Sequence, residues 1–171
     1  MLPIIQVVTV LLAAMTMSMS LAHALELPGK KRLNKETYLA VQAVYYPGFT
    51  IGGFVEPLSI LATLLSLFMT RAGETAFWLR LIALAALLVT HSIFWIVTQP
   101  VNKFWLKNQQ LEGIGKRFFY PTGPMTQPGE QADTDKDWKR MRDRWEYSHL
   151  VRAVLSVIAL VTLAVALSMS R

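Results

Sequence analysis

The chain has 171 residues, 53% hydrophobic and 16% charged, with no cysteine and a formal net charge of +6. That length supplies one domain and little more, and the missing thiols exclude disulfides, thiolate nucleophiles, CxxC redox chemistry and cysteine metal sites. The basic excess flanks apolar spans, where membrane topology accounts for it and nucleic-acid binding does not.

Four apolar stretches, roughly residues 3–24, 53–70, 76–99 and 149–169, fill most of the chain. Each is close to the length of about 17 to 25 residues that a helix needs to cross hydrocarbon, and in lipid only a helix satisfies the backbone of a single segment. The expected fold is all-α, an integral membrane four-helix bundle and a single transmembrane domain over residues 1–171. Ala22-His23-Ala24 resembles a signal-peptidase site, but the run before it has no basic n-region and is long enough to span, so cleavage is not expected.

Asn34 can cap a short interfacial helix through Tyr38, Val41 and Tyr45, stopped by Pro47-Gly48. Glu56-Pro57 starts the second span with proline in the first turn, and Arg71-Ala72-Gly73 makes a tight turn into the third. Pro100 cannot donate to the carbonyl of Ile96 and is expected to kink the third helix or leave that acceptor free. Residues 113–133, rich in glycine and proline, read as an irregular loop. Thr134 or Asp135 then caps a charged extension that runs directly into the fourth span. The loops after the first and third spans carry most of the lysine and arginine, against Arg71, Arg80 and Arg171 on the other side. The positive-inside rule therefore puts both termini away from the cytoplasm.

At 3.6 residues per turn each span shows a polar stripe. The first carries Thr9, Thr16, Ser20 and His23, followed by Glu26. The second carries Glu56, Ser59, Thr63, Ser66 and Thr70. If the third helix continues past Pro100 it aligns His91, Trp95, Thr98, Asn102 and Trp105, and the fourth aligns Trp138, Arg142, Trp145, His149, Arg152 and Ser156. Hydroxyl stripes are common packing contacts between membrane helices, and tryptophans are common interface anchors. His23, Glu56, Asn102, His149 and Arg152, however, all fall near one membrane boundary. Ionisable groups at that depth cost roughly 2.5 to 3.5 kcal/mol each on insertion scales, so a cluster of them suggests a functional site.

The segments Ala22-His23-Ala24-Leu25-Glu26-Leu27-Pro28-Gly29-Lys30, Pro100-Val101-Asn102-Lys103-Phe104-Trp105, Asp137-Trp138, Arg144-Trp145-Glu146 and Ser148-His149-Leu150-Val151-Arg152 together resemble the anthrone-oxygenase-like family of small membrane proteins. The resemblance covers nearly the whole chain. It implies a four-helix membrane fold and oxidation of an anthrone methylene to a quinone by molecular oxygen, without a cofactor. The positions that match are His23, Asn102, Trp105, Trp145, His149 and Arg152.

The residues suit that chemistry. Histidine, with an ordinary pKa of about 6.5, is the usual base near neutral pH. His149 or His23 is expected to abstract the proton, Glu56 or Glu26 to orient that imidazole, and Arg152 with Asn102 to stabilise the oxyanion. Trp105, Trp145, Trp95 and His91 are the expected contacts for a small hydrophobic aromatic ligand. Two other classes stay open: a haem or metal site built on His23, His149 and Glu56, or a non-catalytic subunit. The expected partners are the lipid bilayer, that of a bacterial inner membrane, and further copies or a larger membrane complex.

Overall fold

The computed structural model of the protein describes residues 2–45, 48–105 and 135–169. The loop expected at 113–133 and the side chain of Trp105 lie outside the described residues. Among the described residues there is no strand, and four helical spans, Pro3–Lys30, Gly48–Phe68, Thr75–Asn102 and Asp137–Ser168, are long and apolar enough to cross a membrane. In chain order the helices are α1 (Leu2–Lys30), α2 (Lys35–Gln42), α3 (Gly48–Gly52), α4 (Val55–Phe68), α5 (Thr75–Ile93), α6 (Gln99–Trp105) and α7 (Asp135–Ser168). A 3₁₀ turn at Ala43–Tyr45 follows α2, and a π-helical turn at Phe94–Thr98 joins α5 to α6. The chain is an integral membrane helical bundle in which α7 packs on α1 and α5, and α4 packs on the same two helices.

The bundle is polar inside and apolar outside. Thr9, Thr16, Ser20, Ser59, Thr63, Ser66, Thr90 and Ser156 are all buried, whereas Leu58, Leu61, Leu65, Leu88, Val154 and Val161 are exposed to the lipid side. Several hydroxyls satisfy themselves on the preceding turn, as Thr63 does on Ser59 O at 2.7 Å and Thr90 on Ala86 O at 2.9 Å. Midway along the bundle Ala13, Ala83, Ala86 and Ala159 surround Leu87 and Leu163. Lipid is as apolar as these side chains, so close backbone approach through small residues holds the helices together there.

Local chemistry fixes the element ends. Thr37 N donates to Asn34 Oδ1 at 2.9 Å, the N-cap that starts α2. The α4–α5 turn contains Gly73 at φ 96°, a left-handed conformation that glycine adopts without a side-chain penalty. The third span passes Pro100 without breaking. Gln99 N–H reaches back to Phe94 O, the wider spacing of a π turn, and the Ile96 carbonyl that Pro100 cannot serve accepts a hydrogen bond from Arg144 Nη2 at 3.1 Å. The acceptor that proline leaves open thus ties the third span to α7.

At the end of the bundle where α1 and α6 finish and α7 is still polar, α2 folds inward as a cap. Tyr38 is fully buried against Val101, Trp138 and Trp145, and its hydroxyl donates to Glu146 Oε1 at 2.9 Å. Burial, and then the neighbouring Glu146 carboxylate, push the Tyr38 phenol well above its usual range. A phenol kept neutral in the fold contributes stability that is complete below its unfolded value of about 10 and is lost as pH rises through the folded value. Thermal unfolding in detergent should therefore be level from neutrality to about pH 9 and fall above it. Tyr38→Phe should lose about 1.5–3 kcal/mol at pH 7 and show a shallower alkaline decline. An unchanged alkaline limb in that variant would exclude Tyr38 as its source.

Candidate active site

All four spans and the α2–α3 cap converge on one pocket. His23 lies on α1, Glu56 in the first turn of α4, Phe94 and Thr98 on the π turn, Asn102 on α6, and Trp145, His149 and Arg152 on one face of α7. With Met19, Tyr45, Phe49 and Gly52–Gly53 they line a half-open cavity of about 110 Å³. Of the residues expected to form the site, His23, Glu56, Asn102, Trp145, His149 and Arg152 share this lining, while His91 and Trp95 do not.

A buried ion pair anchors the arrangement. Arg152 Nη2 donates to Glu56 Oε2 at 2.6 Å, and both side chains are almost fully removed from solvent. The other oxygen, Glu56 Oε1, faces His91 Nδ1 at 3.1 Å, and Trp95 Nε1 donates to His91 Nε2 at 2.9 Å. An indole nitrogen only donates, so His91 Nε2 is the acceptor and its proton sits on Nδ1, aimed at Glu56. His91 and Trp95 thus stand behind the carboxylate and hold it. Glu56 is saturated by Arg152 and His91, so it orients the guanidinium rather than either cavity imidazole.

The same donor logic fixes His149. Arg152 Nη1 lies 3.3 Å from His149 Nδ1. Because a guanidinium cannot accept, Nδ1 must, which leaves the His149 proton on Nε2. That Nε2–H and Arg152 Nε–H are buried donors without a hydrogen-bond partner among the described residues. His23 differs. Its Nδ1 lies 3.4 Å from Lys30 Nζ and 3.7 Å from Glu26 Oε2, with Lys30 and Glu26 paired at 2.8 Å. Only His23 of the two has a carboxylate beside it. Its ring packs on those of His149 at 4.2 Å, Phe49 at 4.4 Å, Tyr45 at 4.6 Å and Trp145 at 4.8 Å between centroids.

Asn102 positions a wall. Its Oδ1 accepts from Trp145 Nε1 at 2.7 Å and its Nδ2 donates to Gln99 Oε1 at 3.2 Å, so the amide locks the indole plane against the cavity. The two imidazoles are in ring contact at 4.2 Å, which leaves no room for a porphyrin between them. Both Glu56 oxygens are engaged away from the imidazoles, and among the described residues no three His, Asp or Glu side chains group as metal ligands.

Sequence reasoning missed Lys30, Gln42, Tyr45 and Phe49. Lys30 reads as a loop charge, yet it is buried, with its ammonium 4.6 Å from the Tyr45 ring centroid, 4.8 Å from that of Trp145 and 3.7 Å from Glu146 Oε1. A signal was present: residues 23, 26 and 30 continue the α1 stripe at helical spacing past Pro28.

Removing one partner of a buried pair strands the other charge, at a cost of about 3–5 kcal/mol, whereas replacing both with apolar residues of similar size is often neutral. Glu56→Leu should therefore lower stability by about that amount. Adding Arg152→Met should recover most of it, as read by thermal unfolding in detergent. A double variant as unstable as the single one would show that the pair does not carry this energy.

A family model described as anthrone oxygenase matches residues 48–162. The match includes Glu56, Asn102, Trp145, His149 and Arg152 and stops short of His23 on α1. No curated protein and no solved structure matches this chain. The matched stretch spans more than half of the sequence and every helix from α3 through most of α7, and the chain belongs to the anthrone oxygenase family.

Proposed function

We propose that this protein is a cofactor-independent oxygenase that converts the acidic methylene of an anthrone-like or related phenolic substrate into a carbonyl. The observation that carries this reading is the pairing, around one aromatic cavity, of an imidazole flanked by a carboxylate with two unpartnered buried donors, Arg152 Nε–H and His149 Nε2–H.

His23 takes the base role. A small movement of its ring from Lys30 toward Glu26 places Nδ1–H on the carboxylate and frees the Nε2 lone pair; catalytic hydrogen bonds are often long before substrate binds. Glu26 then stabilises the imidazolium and, with its side chain 43% exposed, passes the proton to water. Arg152 and His149 donate to the oxygen on which the substrate's negative charge gathers. Trp145 and Phe49 bound the flat ring. The carbanion supplies the electrons itself. It reduces dioxygen, a C–O bond forms to give a hydroperoxide, and loss of water leaves the carbonyl. One CH₂ and one O₂ become one C=O and one H₂O, with no external reductant. The excess of basic residues in the first and third loops supports an orientation with this cavity at the cytoplasmic leaflet of an inner membrane and both termini facing away.

The test is oxygen consumption by the purified protein with a dihydroxyanthrone. The wild type should take up one oxygen per anthrone well above the spontaneous rate. His23→Ala should lose a factor of about 10²–10⁴, the usual contribution of a positioned base. His149→Phe, which removes one oxyanion donor, should lose about 10²–10³. Wild-type uptake no faster than the spontaneous reaction, or full activity in His23→Ala, would overturn the proposal.

A further inference from the structure

Residues lining the cavity carry donors that nothing among the described residues accepts, beside the unpartnered hydroxyls of Thr16 and Ser20. Arg152 Nε, His149 Nε2 and Gln42 Nε2 are all buried without a partner, and their residues are 7%, 6% and 8% exposed. All three residues line the pocket. The first two nitrogens cannot accept in the pose observed, because the guanidinium never accepts and the His149 proton is fixed on Nε2 by Arg152. An amide nitrogen also only donates. A ligand that satisfies these nitrogens must bring acceptor oxygens, which a carbonyl supplies without adding a donor of its own. The donors come from two elements, α7 and α2, so the ligand gains from carrying an acceptor at each end.

Size and surroundings narrow the class further. At about 110 Å³ the half-open cavity is of the order at which apolar protein cavities admit a benzene-sized guest, so it encloses one ring of a ligand and leaves the remainder at its open side. Its walls include the rings of Trp145, Phe49 and Phe94. The wall segment Gly52–Gly53 carries no side chains and is covered by Met19, whose Sδ and Cε occupy the place a β-carbon at Gly52 would take. Beside it Ile51 and Phe54 are exposed on the span Gly48–Phe68. A thin, flexible cover at that position suits a ligand that arrives from the bilayer and leaves its tail there.

We propose that the cavity is a binding site for a one-ring lipid quinone in its oxidised form. A 1,4-quinone presents an acceptor-only oxygen at each end of a flat ring. Its hydroquinone accepts only through weaker phenolic oxygens and brings an O–H at each end that needs an acceptor of its own beside donor-only nitrogens. A donor left facing no acceptor in a buried site costs enough to separate the two redox forms clearly. This inference requires only that the cavity takes a ligand, and it does not depend on turnover.

Titration calorimetry on the purified protein in detergent micelles tests it, with three probes: a decyl-tailed benzoquinone, the same compound reduced and kept anaerobic, and a methylated benzoquinone without a tail. The expected result is saturable binding of one tailed quinone per chain, at least tenfold tighter than its hydroquinone. Arg152→Lys retains a cation for Glu56 but has no Nε–H, and it should reduce that preference at least fivefold. Gln42→Met, away from the ion pair, should weaken the quinone with its helical circular dichroism intact. Equal affinity for the two redox forms, or no saturable binding by folded wild type, would overturn the inference. Equally tight binding of the tail-less quinone would overturn the bilayer as source. A protein that binds quinone yet consumes no oxygen with anthrone loses the oxygenase reading alone. One that oxidises anthrone and binds no quinone loses this inference alone.

Discussion

The contact on which the site depends is the buried pair of Glu56 and Arg152, which joins the first turn of α4 to the middle of α7. A lone charge at this depth is costly, so neither residue is tolerable without the other. The pair also decides what each remaining nitrogen does. Glu56 takes Nη2 and the His149 ring takes Nη1, which leaves Nε–H without an internal partner in the cavity wall. His149 is forced into the tautomer that donates from Nε2. One carboxylate, itself held by His91 and Trp95, therefore sets the donor character of the whole pocket.

The rest of the bundle supports that arrangement by separating two packing regimes. In the middle, alanines let α1, α5 and α7 approach closely. Toward the end capped by α2 the facing residues become large, aromatic and polar, and the helices enclose a void. The cap is fastened by Tyr38 on Glu146, and Lys30 spans the gap between Glu26, Glu146 and the two aromatic rings. Pro100 adds a further tie, since the carbonyl it leaves open is met by Arg144 from α7. The polar groups of this end thus hold the cavity in shape, and Arg152 Nε and His149 Nε2, in two residues that line it, have no partner among the described residues.

Much of this was legible as periodicity. The stripes on α1, α4 and α7 are buried as their spacing implies, because a membrane helix turns its hydroxyls and charges toward other helices. Their shared depth pointed to His23, Glu56, Asn102, His149 and Arg152 as one cluster, and they line one pocket. The third span was harder to read. His91 and Trp95 fall on the same stripe as Thr98 and Asn102 at α spacing, but the π turn at Phe94–Thr98 shifts the register between the two pairs. One pair backs Glu56 while the other faces the cavity. Lys30 escaped because hydropathy ends the first stretch near residue 24, whereas the helix continues to Lys30. Gln42, Tyr45 and Phe49 lie on segments too short to show a period, and their direction is set by the cap's packing on α7.

The central claim is that the donors released by the Glu56–Arg152 pair face a ligand. The most direct measurement is an experimental structure of the protein in lipid with a hydroxyanthraquinone soaked in, read at the cavity. The account predicts a flat ring against Trp145, with an oxygen within hydrogen-bonding distance of Arg152 Nε and His149 Nε2. A ligand bound elsewhere, or a cavity filled by an alkyl chain with those two nitrogens turned away from it, would contradict the account.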